Sequence, residues 1–169
     1  MRPISFFIYN LMNFIGYNSV FYLVYFFLIL LFPFFFPNLI FLNLYQILGF
    51  SLSLILAVYL SYCIYFILVC FAFWFSEIRV LLISYNITSR ILSGTIIPLA
   101  LYPEFYLKII YYSPIPYLVD FPVSIATGRL HSSLWFDGFL NAFIWCLIMT
   151  LLGHYIYKKG IKVYEGFGY

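Results

Sequence analysis

The sequence predicts an all-α polytopic membrane protein: about four transmembrane helices, with short re-entrant or interfacial helices between the last two. Three observations carry this. Hydrophobic residues make up 66% of the chain and charged residues 8%, against about 25% charged in ordinary soluble domains. A soluble globule of 169 residues could not hide that much apolar surface, because about a third of its chain surface stays exposed. The apolar residues also gather into long runs separated by short proline-rich or charged breaks, and about 20 residues suffice to cross a hydrocarbon core.

The whole chain, 1–169, reads as a single transmembrane domain. Residues 1–18 form an interfacial segment, in which Phe6, Phe7, Leu11, Phe14 and Ile15 recur near helical spacing among Asn10, Asn13 and Asn18. Residues 19–101 hold three spans. The first runs from about Val20 to Phe36, contains Pro33 and ends at the Pro37-Asn38 turn. After an approach segment, the second runs from about Gln46 to Phe75, where Gly49, Ser51, Ser53 and Ser61 let another helix come close. The charged break Ser76-Glu77-Ile78-Arg79 precedes the third, from about Val80 to Leu101. It is the most polar, with Asn86, Thr88, Ser89 and Arg90. An arginine inside a span faces protein or water rather than lipid. Arg90 therefore either snorkels or pairs structurally, or lines a transport path.

Residues 102–133 differ in kind. Pro103, Pro114, Pro116 and Pro122 cut the region into pieces too short to cross a membrane, with helices expected near Glu104–Tyr112 and Phe121–Leu130. Glu104 follows Pro103, so its carboxylate either favours a helix N-terminus or touches cargo. Asp120 and Arg129 read as interfacial charges. The tyrosines Tyr102, Tyr106, Tyr111, Tyr112 and Tyr117 suit a headgroup-level belt, or an exit path for amphipathic cargo. The last span covers 134–157 and a lysine-bearing tail covers 158–169.

With four spans both termini share one side. Arg2, Arg79, Lys158, Lys159 and Lys162 then fall on that side and only Lys108 and Arg129 on the other. The positive-inside rule makes the termini cytoplasmic and the proline-broken segment extracytoplasmic. No cleaved signal peptide is expected after Met1-Arg2-Pro3.

Little here points to catalysis. Cys63, Cys70 and Cys146 lie in apolar runs without a CxxC. His131 and His154 are far apart, the five acidic residues are scattered, and Walker, HExxH and GxSxG motifs are absent. No enzyme activity, metal, cofactor or nucleic-acid partner is expected.

The region from Phe73 to the C-terminus resembles the permease subunits of ABC-2-type exporters. Phe73-Trp74-Phe75 closes a span; Ser93-Gly94, Ile97-Pro98-Leu99 and Tyr102-Pro103-Glu104 follow in the family's order. Ser113-Pro114-Ile115-Pro116-Tyr117, Pro122, Gly128-Arg129-Leu130, Lys159-Gly160 and Tyr164-Glu165-Gly166 complete it. The Arg2-Pro3 start is similar to the family's segment just before its third span.

The resemblance implies a membrane permease subunit of an ATP-driven exporter in a bacterial inner membrane. Its partners would be an ABC ATPase subunit, a second permease subunit (the same or a related chain) and the lipid bilayer. It also implies that the first two of about six family spans lie outside this chain, and that residues up to Tyr17 either keep part of the ATPase-coupling segment or only anchor. Pro98 to Leu130 would form an outer gate. Its candidate gate or pathway residues, with Arg90 beside them, are Gly94, Pro98, Pro103, Glu104, Pro114, Pro116 and Gly128. Gly94 either permits close helix contact at a dimer interface or is a generic small residue, while Pro98 and Pro103 set a kink and turn. The other reading is a truncated or degenerate permease paralogue acting as a non-transporting scaffold.

Overall fold

A computed structural model describes residues 6–35, 44–96 and 99–166. Among them the chain is mostly helical, without strands. Six α-helices occur: α1 (Phe6–Phe35), α2 (Leu44–Cys70), α3 (Arg79–Leu92), α4 (Glu104–Tyr111), α5 (Asp120–Ala126) and α6 (Trp135–Gly166). Two helical stretches, Leu44–Phe73 and Ser132–Val163, are long and apolar enough to cross a membrane.

The helix boundaries correct three expectations. The interfacial segment and first span are one helix of 30 residues. Its polar residues turn back on their own helix: Asn10 and Asn18 donate to the carbonyls of Phe6 and Phe14 at 2.8 Å, and Ser19 to that of Gly16 at 2.7 Å. At the other end α6 does not stop at Tyr157 but continues through the lysines to Gly166. Lysine is a good helix former, so the lysines do not interrupt the helix.

The third correction is the most consequential. The expected span from Val80 to Leu101 is not one helix. α3 has 14 residues, about 21 Å at 1.5 Å per residue, against about 30 Å of hydrocarbon. Gly94 ends it, with φ +84°, a conformation that glycine adopts without a Cβ penalty. On α3, Leu82, Tyr85, Asn86, Ser89 and Leu92 are half-buried, while apolar Val80, Ile83 and Ile87 and polar Ser84, Thr88 and Arg90 are exposed.

α2 is the hub. Its tyrosines at steps of three reach three different helices: the Tyr59 hydroxyl meets Thr150 on α6 at 2.9 Å. Tyr62 donates to the Phe7 carbonyl of α1 at 2.5 Å, and Tyr65 to Asn86 Oδ1 of α3 at 2.5 Å. In a poorly hydrated interior each phenol needs such a partner. α6 runs parallel to α2, the contacts Leu56–Cys146 and Tyr59–Thr150 advancing together along both helices, and the close approach comes from glycines under aromatic rings. Gly49 lies under Trp135, and Gly160 under Phe73. A Cβ at either position would overlap the ring. Phe6 stacks on Tyr157 at 5.1 Å, so the start of α1 and the later part of α6 lie at one end of the bundle.

At the opposite end, α5 and a 3-10 turn (Ile115–Leu118) are packed against α2. Tyr117, Phe121 and Ile125 join Phe50, Leu60, Trp135 and Ala142 in the larger core cluster. Gly138 of α6 makes room for the Phe121 ring.

Candidate functional site

The proline-broken segment folds from local rules. Pro103, at φ −59° and ψ 145°, precedes α4, and its carbonyl accepts from the N–H groups of Tyr106 and Leu107 at 3.0 and 3.2 Å. A proline just outside a helix start gives up no intrahelical bond. Glu104 is the first residue of α4 and is exposed. It makes no side-chain cap there, and its position in the first turn suits the dipole. It lines a cleft of about 390 Å³ with Leu107, Lys108, Tyr111 and Tyr112. Pro114 starts the 3-10 turn, its carbonyl accepting from Tyr117 N–H at 3.3 Å. Pro116 is fully buried. Both prolines thus act through shape.

The two candidate glycines close two helices in the same way. Gly94 follows α3 and Gly128 follows α5, with φ +84° and +67°. Beyond each, a backbone N–H reaches six residues back: Ile96 to the Arg90 carbonyl at 3.2 Å, and Leu130 to the Ser124 carbonyl at 3.1 Å. Carbonyls left over at a helix end are satisfied by this kind of reversal. Gly94 therefore lies in a turn, close to the Leu99 side chain and to Asp120 Oδ1. Gly128 faces the Gln46 amide of α2.

The reversal at Gly128 produces a feature that sequence reasoning left as two separate charges. It brings Arg129 back over α5, where its Nη2 donates to Asp120 Oδ1 at 2.7 Å and to Ser124 Oγ at 2.6 Å. Asp120 is the more enclosed, at 12% side-chain exposure against 47% for Arg129. Burial pushes the Asp120 carboxyl above its ordinary value, and the neighbouring Arg129 guanidinium opposes that rise. Burial also raises the Tyr111 phenol beside it. The available signal was a glycine placed between an acid and a base that flank a two-turn helix. Without the αL turn, nine residues of separation gives no reason to pair them.

Arg90 is not brought to this cluster. It is exposed in the last turn of α3, where a cation suits the helix C-terminus. Pro98 lies outside the described residues. Among the described residues no group of acidic, histidine and cysteine side chains is arranged to hold a metal.

The short helices α3, α4 and α5 lie in sequence between two helical stretches long and apolar enough to cross a membrane. Residues 1–168 match the family model described as ABC-2 family transporter protein. The chain belongs to the ABC-2 family. No curated protein and no solved structure matches it. The family likeness thus extends beyond the region from Phe73 onward to the α1 and α2 part of the chain. As an ABC-2 family chain it has a permease-type role in a membrane, in a family whose permeases are typically non-catalytic and generally work with ABC ATPases.

Proposed function

We propose that this chain is the membrane-spanning permease subunit of an ATP-driven ABC exporter, forming part of the export pathway while a separate subunit hydrolyses ATP. The family match over residues 1–168 carries the reading. Two long apolar helical stretches among the described residues add support. In this reading α1, α2, α6 and the α3 region are the four crossings.

In this reading residues 102–133 are the extracytoplasmic gate. α5 is its wedge, and Gly94, Pro98, Pro103, Glu104, Pro114, Pro116 and Gly128 shape it. Arg90 sits at the edge of the pathway. The contact of Phe6 with Tyr157 supports termini on one side, and the lysines Lys158, Lys159 and Lys162, all exposed on the end of α6, favour the cytoplasmic face of a bacterial inner membrane. A second permease subunit completes the pathway.

Co-purification tests this. The chain in nanodiscs is expected to retain an ABC ATPase subunit, and to raise its ATP turnover. If no ATPase associates under conditions that preserve the helical fold, the chain stands as a non-transporting scaffold instead.

A further inference from the structure

A second cleft, of about 240 Å³, lies between the turn at Leu99, α4 and α5. Its lining includes Leu99, Leu107, Tyr111, Asp120, Arg129 and Leu130. That volume is several times a water molecule's share of liquid, about 30 Å³, so a small headgroup fits. Both members of the ion pair face it with unused capacity. The guanidinium carries five N–H donors, yet among the described residues it donates only through Nη2. The Asp120 carboxylate accepts from Arg129 through Oδ1, and Oδ2 takes no hydrogen bond among the described residues.

The charge is balanced, which selects the ligand class. A lone anion beside Arg129 would meet Asp120, and a lone cation beside Asp120 would meet Arg129. The charged residues of the adjoining α4 face, Glu104 and Lys108, are likewise one of each sign. A ligand with an oxyanion and a primary ammonium a few bonds apart satisfies both groups. Leu99, Leu107 and Leu130 offer apolar contact for a hydrocarbon portion.

We propose that this cleft binds a zwitterionic phosphoethanolamine-type headgroup, its oxyanion on Arg129 and its ammonium on Asp120. Such a headgroup comes from a membrane lipid or from a free zwitterion. The lipid source rests on the permease reading, which puts the cleft at the outer membrane surface. Binding itself needs no ATPase, so failure of this test leaves the permease reading intact, and the reverse holds as well.

The test uses the full chain in detergent, with bound lipid counted by native mass spectrometry and stability followed by thermal unfolding. Short-chain phosphatidylethanolamine is expected to bind at least about tenfold tighter than phosphatidylglycerol, which has no cation, or phosphatidylcholine, whose ammonium has no N–H. Arg129→Gln and Asp120→Asn are each expected to weaken it by about tenfold or more. Arg129→Lys keeps the ion pair, and with it the fold, but loses the planar fork, and is expected to weaken binding of the oxyanion while the preference set by Asp120 remains. Lys159→Gln, at the far end of α6, leaves binding unchanged. O-phosphoethanolamine separates the sources: binding as tight as the lipid's assigns a free zwitterion, and weaker binding assigns the lipid. Equal binding of phosphatidylglycerol, indifference to both cleft substitutions, or no binding of any probe overturns the proposal.

Discussion

α4 and α5 are neighbours of nearly equal length, eight and seven residues, both set among prolines and both rich in apolar side chains. Their surroundings are opposite. α5 buries Phe121, Pro122, Ser124 and Ile125 between α2 and α6. α4 buries only Ile110 and turns Phe105, Tyr106 and Ile109 outward. The difference teaches that length and hydropathy identify a short helix in a membrane protein but not its place. α5 is held because its buried side chains pack closely, Phe121 filling the space above Gly138. α4 has no such packing in this chain, so its apolar face is left for lipid or a partner subunit.

Substitution tests that contrast directly. Ile125→Ala, at a position with 0% exposure, is expected to cost about 2–5 kcal/mol in thermal or denaturant unfolding of the detergent-solubilised chain. A loss under about 1 kcal/mol would mean that α5 is not a packed wedge.

Gly138→Val sharpens the same point from the other side. The new side chain overlaps the Phe121 ring, and overpacking of this kind costs about 1–3 kcal/mol. Pairing it with Phe121→Ala is expected to recover part of the loss, which a double-mutant cycle would read as coupling.

The ion pair gives a smaller effect with a pH signature. Arg129→Gln is expected to cost about 1 kcal/mol at neutral pH, since one partner is half exposed. Asp120 has a native carboxyl raised above its ordinary value of 3.8. Between that value and the raised one the native state holds more protons than the unfolded state, so this group's contribution to stability falls as pH rises through the window. Removing Arg129 takes away a lowering influence and extends the window upward. Asp120→Asn abolishes the dependence. A stability profile unchanged by Asp120→Asn would remove the carboxyl from the account.

The smallest effect belongs to α4. Ile109→Ala, at 56% exposure, is expected to change stability by no more than about 0.5 kcal/mol in the isolated chain. Backbone amides of α4 are expected to exchange with solvent deuterium faster than those of α5. Equal protection would erase the distinction between the two helices.

Several features follow from the sequence alone, because they depend on composition and local chemistry. The low charge and long apolar runs determine a helical membrane protein, since lipid demands that each backbone group be satisfied within its own segment. The start of α4 after Pro103 is fixed by proline geometry, and the order of motifs around Gly94, Pro114 and Gly128 determines the family. Tertiary structure decided the rest. The interfacial segment and the first span form one helix, in which the Asn10 and Asn18 side chains bond the helix they belong to. The break at Gly94 was hidden because a glycine in an apolar run serves equally as a helix contact or as a left-handed turn, and only the backbone distinguishes them. Asp120 and Arg129 became a pair because the turn at Gly128 carries one back over the other. Periodicity along a chain reports what a residue prefers. Which side chains face each other across α2, α5 and α6 depends on how rings and glycines interlock between segments far apart in sequence.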